Sequence, residues 1–409
     1  MDVNHTRDVI IVGAGLSGLA AATELRKRNI PVTILEASDR VAAPWRARHP
    51  QLRLNIHRHF ARLPGRLAIR ARDTYLPRTS VVDYLCEYAD NLDAEIRFDT
   101  SVLAVHRDAG IWHIRTSKGA FRAAHLIVAT GRERLKSLPD WPGLNDFGGQ
   151  IIHSADFGKP QDYDGKKVLV IGAGNSGTDV LNHLSRTNPA RVWVSVRHGP
   201  SILPSRICGF PLHRLANLFA CLPHWSLDPT FAMMQRLCFG DLRKYGLRRH
   251  AVGGGTRLFK EGITFALDDG FVAALKSGRF EAVAETKGFQ PECVELFDGR
   301  KLDPDVVICA TGYRAGLEPV FGHLGALDAN GYPRHPLGQA DPRNPGLWFT
   351  GYSLYFQGFF HAAGIGAARI ASQIAAQPKG QASPKSPIPL SAIAGNMNQP
   401  TEPLKAAEQ

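Results

Sequence analysis

Two stretches of the chain repeat one pattern, in which an apolar run leads into a glycine-rich turn and then into a helix-forming run. In the first, Asp8-Val-Ile-Ile-Val12 leads into Gly13-Ala-Gly15-Leu-Ser-Gly18. In the second, Lys167-Val-Leu-Val-Ile171 leads into Gly172-Ala-Gly174-Asn-Ser-Gly177. In such a unit the first glycine permits a tight turn, the second admits a pyrophosphate and the third lets the helix pack on the strand. The repeat predicts an α/β chain with two Rossmann-like dinucleotide-binding domains.

The residue after the second strand of each unit differs in charge between the two units. Pro31-Val-Thr-Ile-Leu35 ends at Glu36, whose carboxylate is placed to hydrogen-bond an unphosphorylated ribose. Arg191-Val-Trp-Val-Ser-Val196 ends at Arg197, and a guanidinium holds a ribose 2′-phosphate that a carboxylate would repel. An ordinary surface arginine is the alternative for Arg197. We predict that the first unit binds FAD and that the second binds NADPH in preference to NADH.

Three further segments end in a Thr-Gly step after an apolar run, as expected where a strand turns sharply beside a bound nucleotide. They are Leu126 to Thr130-Gly131, Asp305 to Thr311-Gly312-Tyr313, and Leu347-Trp-Phe-Thr-Gly351. The second and third lie beyond the second glycine motif. We therefore expect the chain to return through them and complete the first domain.

The 409 residues are enough for two or three domains of about 150 residues each. We predict a discontinuous FAD-binding domain at 1–162 and 300–380, with an NADPH-binding domain inserted at 163–299. Segment 201–252 is a candidate insert that lines the pocket. Residues 381–409 are rich in Pro, Ser, Lys and Gln without periodicity, which predicts a mobile tail.

The net charge of +12 suits anionic partners, but the arginines are scattered and no nucleic-acid recognition motif is present. A solvated basic surface is therefore expected, with no nucleic-acid partner. The six cysteines lack the close pairs of zinc sites or dithiol redox centres, which predicts free thiols, a cytoplasmic location and no metal. No apolar run reaches the roughly 20 residues of a membrane span. A homodimer is left open.

The most apolar stretch, Leu215 to Met234, is interrupted by Pro223, His224, Asp228 and Pro229. It predicts two short helices that line a core or pocket, with contact to a membrane as the alternative. The following apolar side chains of segment 201–252 could line a substrate pocket, or could simply pack a core: Phe210, Leu215, Leu218, Phe219, Trp225, Phe231 and Met233.

Between the two glycine motifs, Phe147-Gly-Gly149-Gln-Ile-Ile-His153-Ser-Ala-Asp-Phe157 fits the pattern F-x-G-x-x-x-H-x-x-x-F/Y. With the second glycine motif, Asp305 to Tyr313 and Gly270 to Gly278, it resembles the class B flavin-containing monooxygenases, and among them the YUCCA-type branch. Baeyer-Villiger relatives end the fingerprint in Trp, so Phe157 favours the flavin-containing side. His153 could be a catalytic base, but the motif resembles an interdomain linker, which favours a structural role.

The resemblance also implies site residues. Val41-Ala-Ala-Pro-Trp45-Arg46 is similar to the family's Gly-Gly-x-Trp turn, with Trp45 kept and the glycines replaced, so Trp45 and Arg46 are expected near the flavin. Leu54-Asn55-Ile-His-Arg58 is similar to Leu-Thr-Asn-x-Pro-Lys, whose Asn lies by the flavin and the nicotinamide. Asn55 is therefore the candidate catalytic residue, and a loop-capping Asn is the alternative. Asn175 and Ser176 of the second glycine motif join the cofactor-binding set.

The family's chemistry is implied in the same way. NADPH reduces the flavin, O₂ adds to form a 4a-hydroperoxyflavin, and one oxygen atom passes to a small organic substrate. The substrate would carry a nucleophilic nitrogen or sulfur, or be an aromatic keto acid as in the YUCCA-type branch. An uncharged amide such as Asn55 can donate a hydrogen bond without supplying a proton. A Baeyer-Villiger monooxygenase acting on ketones and an NADPH-dependent flavoprotein reductase or oxidase are the alternatives.

Overall fold

The computed structural model of the chain describes residues 6–65, 69–248 and 250–377, which contain both strands and helices. The predicted tail at 381–409 lies outside the described residues. The strands in chain order are β1 (Thr6–Val12), β2 (Val32–Leu35), β3 (Arg53–His57), β4 (Tyr75–Pro77), β5 (Glu95–Arg97), β6 (Val102–Asp108), β7 (Ile111–Thr116), β8 (Gly119–Val128), β9 (Leu135–Lys136), β10 (Gln150–His153), β11 (Lys167–Ile171), β12 (Arg191–Ser195), β13 (Ile202–Pro204), β14 (Arg206–Ile207), β15 (Phe210–Pro211), β16 (Ala266–Asp268), β17 (Phe280–Val283), β18 (Thr286–Gln290), β19 (Cys293–Leu296), β20 (Lys301–Leu302), β21 (Val306–Cys309), β22 (Tyr313–Arg314) and β23 (Leu347–Phe349).

The α-helices are α1 (Leu16–Arg26), α2 (Ala43–Arg46), α3 (Arg78–Asp90), α4 (Asn175–Leu184), α5 (Ala216–Ala220), α6 (His224–Phe239), α7 (Gly254–Lys260), α8 (Phe271–Lys276), α9 (Glu318–Phe321) and α10 (Phe359–Ala375). Single turns of 3₁₀ helix lie at Arg58–Phe60, Leu144–Asp146, Ser154–Asp156, Pro160–Tyr163, Leu212–Leu215, Leu242–Tyr245 and Gly322–Leu324. The predicted α/β class is confirmed.

The first sheet has seven strands in the order β5-β2-β1-β8-β7-β6, with β23 also paired to β8. Strand β1 runs parallel to both β2 and β8, so its carboxyl end lies in the middle of the sheet edge. Val9 and Ile11 of β1 face one core with α1 and α10, while Ile10 faces a second core on the opposite side. Because both faces are covered, the strand is a continuous apolar run rather than an alternating one.

The second sheet has five parallel strands in the order β10-β21-β11-β12-β17. This order corrects one prediction. Strand β21, within the segment expected to complete the first domain, pairs with β10 and β11 of the second sheet. The prediction for β21 was wrong because Val306–Cys309 is an apolar run with the same turn signal in either sheet, and its neighbours are set by long-range packing. Strand β23 returns to the first sheet as predicted.

Segment 201–252 lies outside both large sheets and contains the helices α5 and α6, which confirms the two helices predicted near Leu215 to Met234. Phe219 of α5 and Phe231 of α6 meet at 5.1 Å between ring centroids and belong to a small separate core. Among the described residues, no helix combines the length and apolarity required to cross a membrane.

Candidate cofactor and substrate cleft

A cleft of ≈ 1710 Å³ lies where the parallel strands of both sheets end. Ala129 to Gly131 follow β8, Gly172 follows β11, Ala310 to Gly312 follow β21 and Gly351 follows β23, and all of them line it. The carboxyl ends of parallel strands are the usual place for ligands in α/β sheets, because the turns there expose backbone N–H groups. The two predicted nucleotide sites therefore open into one cleft.

The first glycine turn has room for a phosphate at its middle glycine only. Gly13 has φ of +105°, and a Cβ there would lie 2.9 Å from the carbonyl oxygen of Ala129. A Cβ on Gly18 would overlap the Gly13 carbonyl, whereas one on Gly15 would meet nothing within 4 Å. Helix α1 begins at this open space without a side-chain cap. Its first N–H groups and its positive end are thus available to a pyrophosphate, as FAD binding requires.

The second turn has the same geometry. Gly172 has φ of +97°, and a Cβ there would lie 2.7 Å from the carbonyl oxygen of Ala310. A Cβ on Gly177 would overlap the Gly172 carbonyl, Gly174 again faces open space, and α4 has no side-chain cap. The chain therefore presents two fitting pyrophosphate cradles, one for each predicted dinucleotide.

Glu36 and Arg197 occupy matching places beside the two turns but differ in their surroundings. One oxygen of Glu36 accepts from the Ala14 backbone N–H at 2.7 Å, and the other accepts from the backbone N–H and Oγ of Ser38 at 2.9 and 2.6 Å. Arg197 is exposed on the cleft and has no ion pair or hydrogen bond within the described part of the chain. A free guanidinium at this place fits an added phosphate, and its role stays a prediction.

Asn55 lies on β3 and faces the cleft from the side of the first sheet. Its Nδ2 donates to Oδ1 of Asn175, the first residue of α4, at 3.4 Å, and Asn175 in turn donates to Oγ1 of Thr264. The predicted catalytic residue is thereby held at the line where the two nucleotide sites face each other.

Most predicted cofactor-binding residues line the cleft. Those on its surface, besides Asn55, are Gly15, Trp45, Thr130, Gly131, Gly172, Gly174, Asn175, Ser176, Arg197, Thr311, Gly312 and Gly351. Those outside the lining are Gly13, Gly18, Glu36, Arg46 and Gly177. The three glycines shape the turns from behind. The Arg46 guanidinium donates to Sγ of Cys86 at 3.1 Å, so its predicted flavin contact has no counterpart in the cleft lining.

His153 is held by the backbone on both sides of its ring. Its Nδ1 accepts from the Ala155 backbone N–H at 3.1 Å, so Nε2 carries the proton and donates to the Gly312 carbonyl at 3.0 Å. Burial lowers the pKa of His153, which favours the neutral form of the ring. Neither nitrogen is free to move a proton to or from a substrate. The structural role favoured by the sequence is the one that this geometry supports.

Phe157, which ends the fingerprint, is fully buried. Its ring stacks on Tyr163 at 4.9 Å and meets the edge of His49 at 5.6 Å. The larger Trp of the Baeyer-Villiger pattern would have to displace one of these rings, because a close-packed core has little spare volume.

The predicted substrate-pocket residues of segment 201–252 are not on the cleft, where only Ser205 of that segment appears. Phe219 and Phe231 are buried in the small core with Leu215 packed against them, whereas Phe210, Leu218, Trp225 and Met233 are exposed to solvent. Two other segments contribute apolar side chains to the cleft, which together are called its apolar wall: Leu258, Phe259, Leu354, Tyr355, Phe359 and Phe360. Of the two alternatives that the sequence left open, core packing therefore applies to Leu215, Phe219 and Phe231. Apolar composition alone does not tell which face of a helix points to a cavity.

Tyr352 and Arg48 also line the cleft but were not among the predicted site residues. Tyr352 is buried, its hydroxyl lies 2.9 Å from Oγ1 of Thr130, and burial raises its pKa. The Arg48 guanidinium stacks 3.9 Å above the Tyr313 ring and donates to Glu133 at 3.2 Å. Tyr352 thus contacts the Thr130-Gly131 turn, and Arg48 contacts Tyr313, which follows the Thr311-Gly312 turn. Their only sequence signal is proximity to the turn motifs.

Arg132 is the most notable of these residues because its charge is unpaired. It follows Gly131, lines the cleft and lies 5.4 Å from the Tyr332 ring centroid, without a carboxylate partner among the described residues. A Cβ on Gly262, which has φ of +63°, would overlap its guanidinium. The glycine therefore leaves space for an arginine that is available to an anionic group.

Comparison with known proteins identifies relatives of this chain. The family model described as pyridine nucleotide-disulphide oxidoreductase matches residues 10–203. The probable indole-3-pyruvate monooxygenase YUCCA7 of Arabidopsis thaliana is 33% identical over 362 residues, which cover 84% of this chain and 82% of that protein. The indole-3-pyruvate monooxygenase YUCCA1 of Oryza sativa subsp. japonica is 32% identical over 372 residues, with 90% of each chain covered.

Solved structures show the same fold. A flavin-containing monooxygenase from Stenotrophomonas maltophilia aligns with a TM-score of 0.68 at 22% identity and covers 91% of this chain and 99% of that one. The cyclohexanone monooxygenase from Rhodococcus sp. Phi1 bound to NADP+ aligns with a TM-score of 0.67 at 19% identity, over 90% of this chain and 84% of that one.

Proposed function

This chain belongs to the YUCCA-type family of flavin-containing monooxygenases, and from that premise we propose that it inserts one oxygen atom of O₂ into an aromatic 2-keto acid. It is an FAD-dependent enzyme that uses NADPH. One observation carries the substrate proposal: the cleft contains both the aromatic rings of its apolar wall and the unpaired Arg132 guanidinium. An aromatic ring suits the first and a carboxylate suits the second.

The overall reaction balances as follows. The keto acid, O₂, NADPH and a proton give the carboxylic acid one carbon shorter, CO₂, NADP+ and water. FAD, when bound, takes the hydride of NADPH and supplies the activated oxygen. The chain's own part is to bind the cofactors and the substrate, to orient them and to exclude water. The predicted site residues of the cleft include no charged pair dedicated to proton transfer.

We assign the roles of the chain's residues within this proposal. The open spaces at Gly15 and Gly174 take the two pyrophosphates, and Arg197 takes the ribose 2′-phosphate. The Asn55 amide donates a hydrogen bond to the reacting oxygen without giving up a proton. Arg132 holds the substrate carboxylate, so that the keto group is fixed relative to the cofactor.

The domain arrangement is part of the proposal. We propose an FAD-binding domain at 1–162 and 300–380 and an NADPH-binding domain at 163–299, except that β10 and β21 belong to the NADPH-binding domain because they pair within the second sheet. A cytoplasmic location is proposed too, supported by six cysteines that are all free thiols.

The test is a comparison of substrates under identical conditions. The FAD-loaded protein receives NADPH and ¹⁸O₂ with indole-3-pyruvate or phenylpyruvate, and with the neutral ketone phenylacetone, an amine and a sulfide as comparators. We expect NADPH oxidation to be matched by carboxylic acid that carries one ¹⁸O for the keto acids only. Ester formation from phenylacetone would instead support the Baeyer-Villiger alternative, and NADPH oxidation that yields only hydrogen peroxide with every compound would support an oxidase.

A further inference from the structure

Exposed apolar side chains are concentrated in one part of the chain. Of the thirteen large hydrophobic residues that are exposed among the described residues, six lie between positions 207 and 237. They are Ile207, Phe210, Leu218, Trp225, Met233 and Leu237. Single exposed apolar residues are normal on a protein surface, but a cluster marks an interaction site.

The most exposed of these residues form a line along α6. Trp225, Met233 and Leu237 are 82%, 61% and 78% exposed. Their separations of eight and four residues keep them on one side of a helix. Leu227 and Phe231 on the opposite side are buried in the small core with α5. Helix α6 is thus apolar on both sides, and only its inner side has a partner within the described chain.

The chain segment that contains α6 is strongly basic, and Arg236 lies on α6 itself. Segment 201–252 contains seven Lys and Arg residues and two Asp residues, so it contributes +5 of the net charge of +12. Arg214, Arg236 and Arg248 are exposed and form no ion pair within the described residues. Apolar side chains including a Trp, flanked by unpaired cations, are the composition of helices that lie in the interface of an anionic bilayer.

We propose that the outer face of α6 docks on the surface of a membrane that contains anionic lipids. The helix lies in the interface rather than crossing it, since its 16 residues include Pro229 and no described helix can span a bilayer. A second copy of the chain fits this face less well. A two-fold contact would bring two segments of charge +5 together, whereas acidic headgroups complement them.

The inner side of α6 connects this face to the cleft through one layer of aromatic rings. Phe231 contacts Phe356 at 5.8 Å between centroids, and Phe356 meets Phe259 at 5.5 Å. Phe259 lines the cleft. Docking would therefore place the substrate wall next to the bilayer. The docking proposal itself does not depend on which substrate the enzyme oxidises.

The test uses the full-length FAD-loaded protein and cosedimentation with vesicles of phosphatidylcholine alone or of phosphatidylcholine with phosphatidylserine at roughly 3:1. We expect binding to the phosphatidylserine vesicles that weakens as salt is raised. The double variant Trp225→Ser/Leu237→Ser should bind at least about ten-fold more weakly, because two large apolar side chains no longer enter the interface. Phe297→Ser is the matched control and should bind like the wild type. Phe297 is an apolar residue that is 66% exposed and lies outside segment 201–252.

A second pair of variants tests whether the position of the positive charge, rather than the net charge of the protein, determines binding to the vesicles. Arg214→Glu/Arg236→Glu should lose the preference for phosphatidylserine, while Arg107→Glu/Arg115→Glu, with the same change in net charge on β6 and β7, should keep it. Unchanged flavin content and melting temperature verify folding in every variant. The proposal is overturned if the wild type ignores phosphatidylserine, if the α6 variants bind as the wild type does, or if they abolish a dimer and no vesicle binding is found.

Discussion

The side-chain amides of Asn55 and Asn175 meet across the cleft, with Nδ2 of Asn55 3.4 Å from Oδ1 of Asn175. One residue belongs to β3 beside the predicted flavin site, and the other begins α4 at the second glycine turn. This contact uses one of the two N–H bonds of the Asn55 amide, so the second remains available to a reacting oxygen. The position of the predicted catalytic residue is therefore set by both nucleotide sites.

Asn55→Ala is expected to uncouple the enzyme. Removing one preorganised donor typically costs about 10²-fold or more in turnover, and here the loss should fall on oxygen transfer rather than on NADPH oxidation. Hydrogen peroxide should then account for most of the NADPH consumed, as measured by a peroxidase-coupled assay beside product quantification. Asn175→Ala should uncouple the enzyme more weakly, because Asn55 keeps its amide donor and loses one positioning contact. Since Asn175 is also a predicted cofactor-binding residue, the Michaelis constant of this variant for NADPH is measured beside the coupling. Coupling that stays intact in Asn55→Ala would remove this residue from the mechanism.

Arg197→Ala is expected to raise the Michaelis constant for NADPH about ten- to hundred-fold, the range for a charge-assisted hydrogen bond, while that for NADH changes little. Steady-state kinetics with both nucleotides measure the difference. Arg191→Ala provides the control. Arg191 begins β12, the strand that precedes Arg197, but it does not line the cleft, and its guanidinium donates to the Glu281 carboxylate at 2.9 Å. An equal loss with NADH and NADPH would contradict the 2′-phosphate assignment.

The parts of the site that the sequence predicts correctly are those fixed by short-range geometry. A strand, a Gly-x-Gly-x-x-Gly turn and a helix need about twenty residues, and the steric reasons for each glycine are local. Gly13 and Gly172 accordingly lie against the carbonyls of Ala129 and Ala310, and Gly15 and Gly174 face open space. Such local rules also place Arg197 at the cleft, because it lies two residues beyond the end of β12 in the second sheet.

The parts that it misses depend on contacts between distant segments. Strand β21 joins the second sheet because β10 and β11 flank it there, which its own four apolar residues do not encode. The same limit explains α6, whose two sides are both apolar, so that periodicity could not tell the buried side from the exposed one. Arg132 becomes notable only when the fold brings Gly262 and Tyr332 beside it.

Arg132→Gln is expected to raise the Michaelis constant for phenylpyruvate about ten-fold or more, since the lost contact is a charge-assisted bond to a carboxylate. The Michaelis constant for NADPH should not change, and this difference distinguishes an effect on substrate binding from an effect on nucleotide binding. Arg132→Lys should recover part of the loss because it keeps the charge without the planar fork. Should both variants bind the keto acid as tightly as the wild type, another cation must hold the carboxylate.

The stability of the fold is expected to fall in mild acid because of His213. Burial lowers the pKa of its ring from 6.5 to about 4. Between these values the unfolded chain binds a proton that the folded chain does not, so stability is complete above pH 6.5 and is lost as pH falls toward 4, by about 3 kcal/mol at most.

His213→Gln tests this origin of the acid sensitivity. The variant cannot titrate, but its amide oxygen can still accept from the His57 backbone N–H, which His213 Nδ1 accepts at 3.1 Å. Urea unfolding at pH 8 and pH 5 should show a smaller loss of free energy of unfolding for the variant than for the wild type. An identical loss in the two proteins would assign the acid sensitivity to other groups.

Gly15 and Gly18, two of the three glycines of the first turn, are expected to have different effects when replaced by Ala. Gly15 has φ of −83°, a conformation open to any residue, and its Cβ would meet no protein atom within 4 Å. Gly15→Ala should therefore fold, with the melting temperature of the flavin-free protein unchanged, but hold much less FAD because the methyl group occupies the pyrophosphate space. Gly18→Ala should destabilise the flavin-free protein itself, since its Cβ overlaps the Gly13 carbonyl. Thermal melting and the flavin-to-protein absorbance ratio of both variants, prepared side by side, distinguish these outcomes. Normal flavin content in Gly15→Ala would mean that the pyrophosphate lies elsewhere.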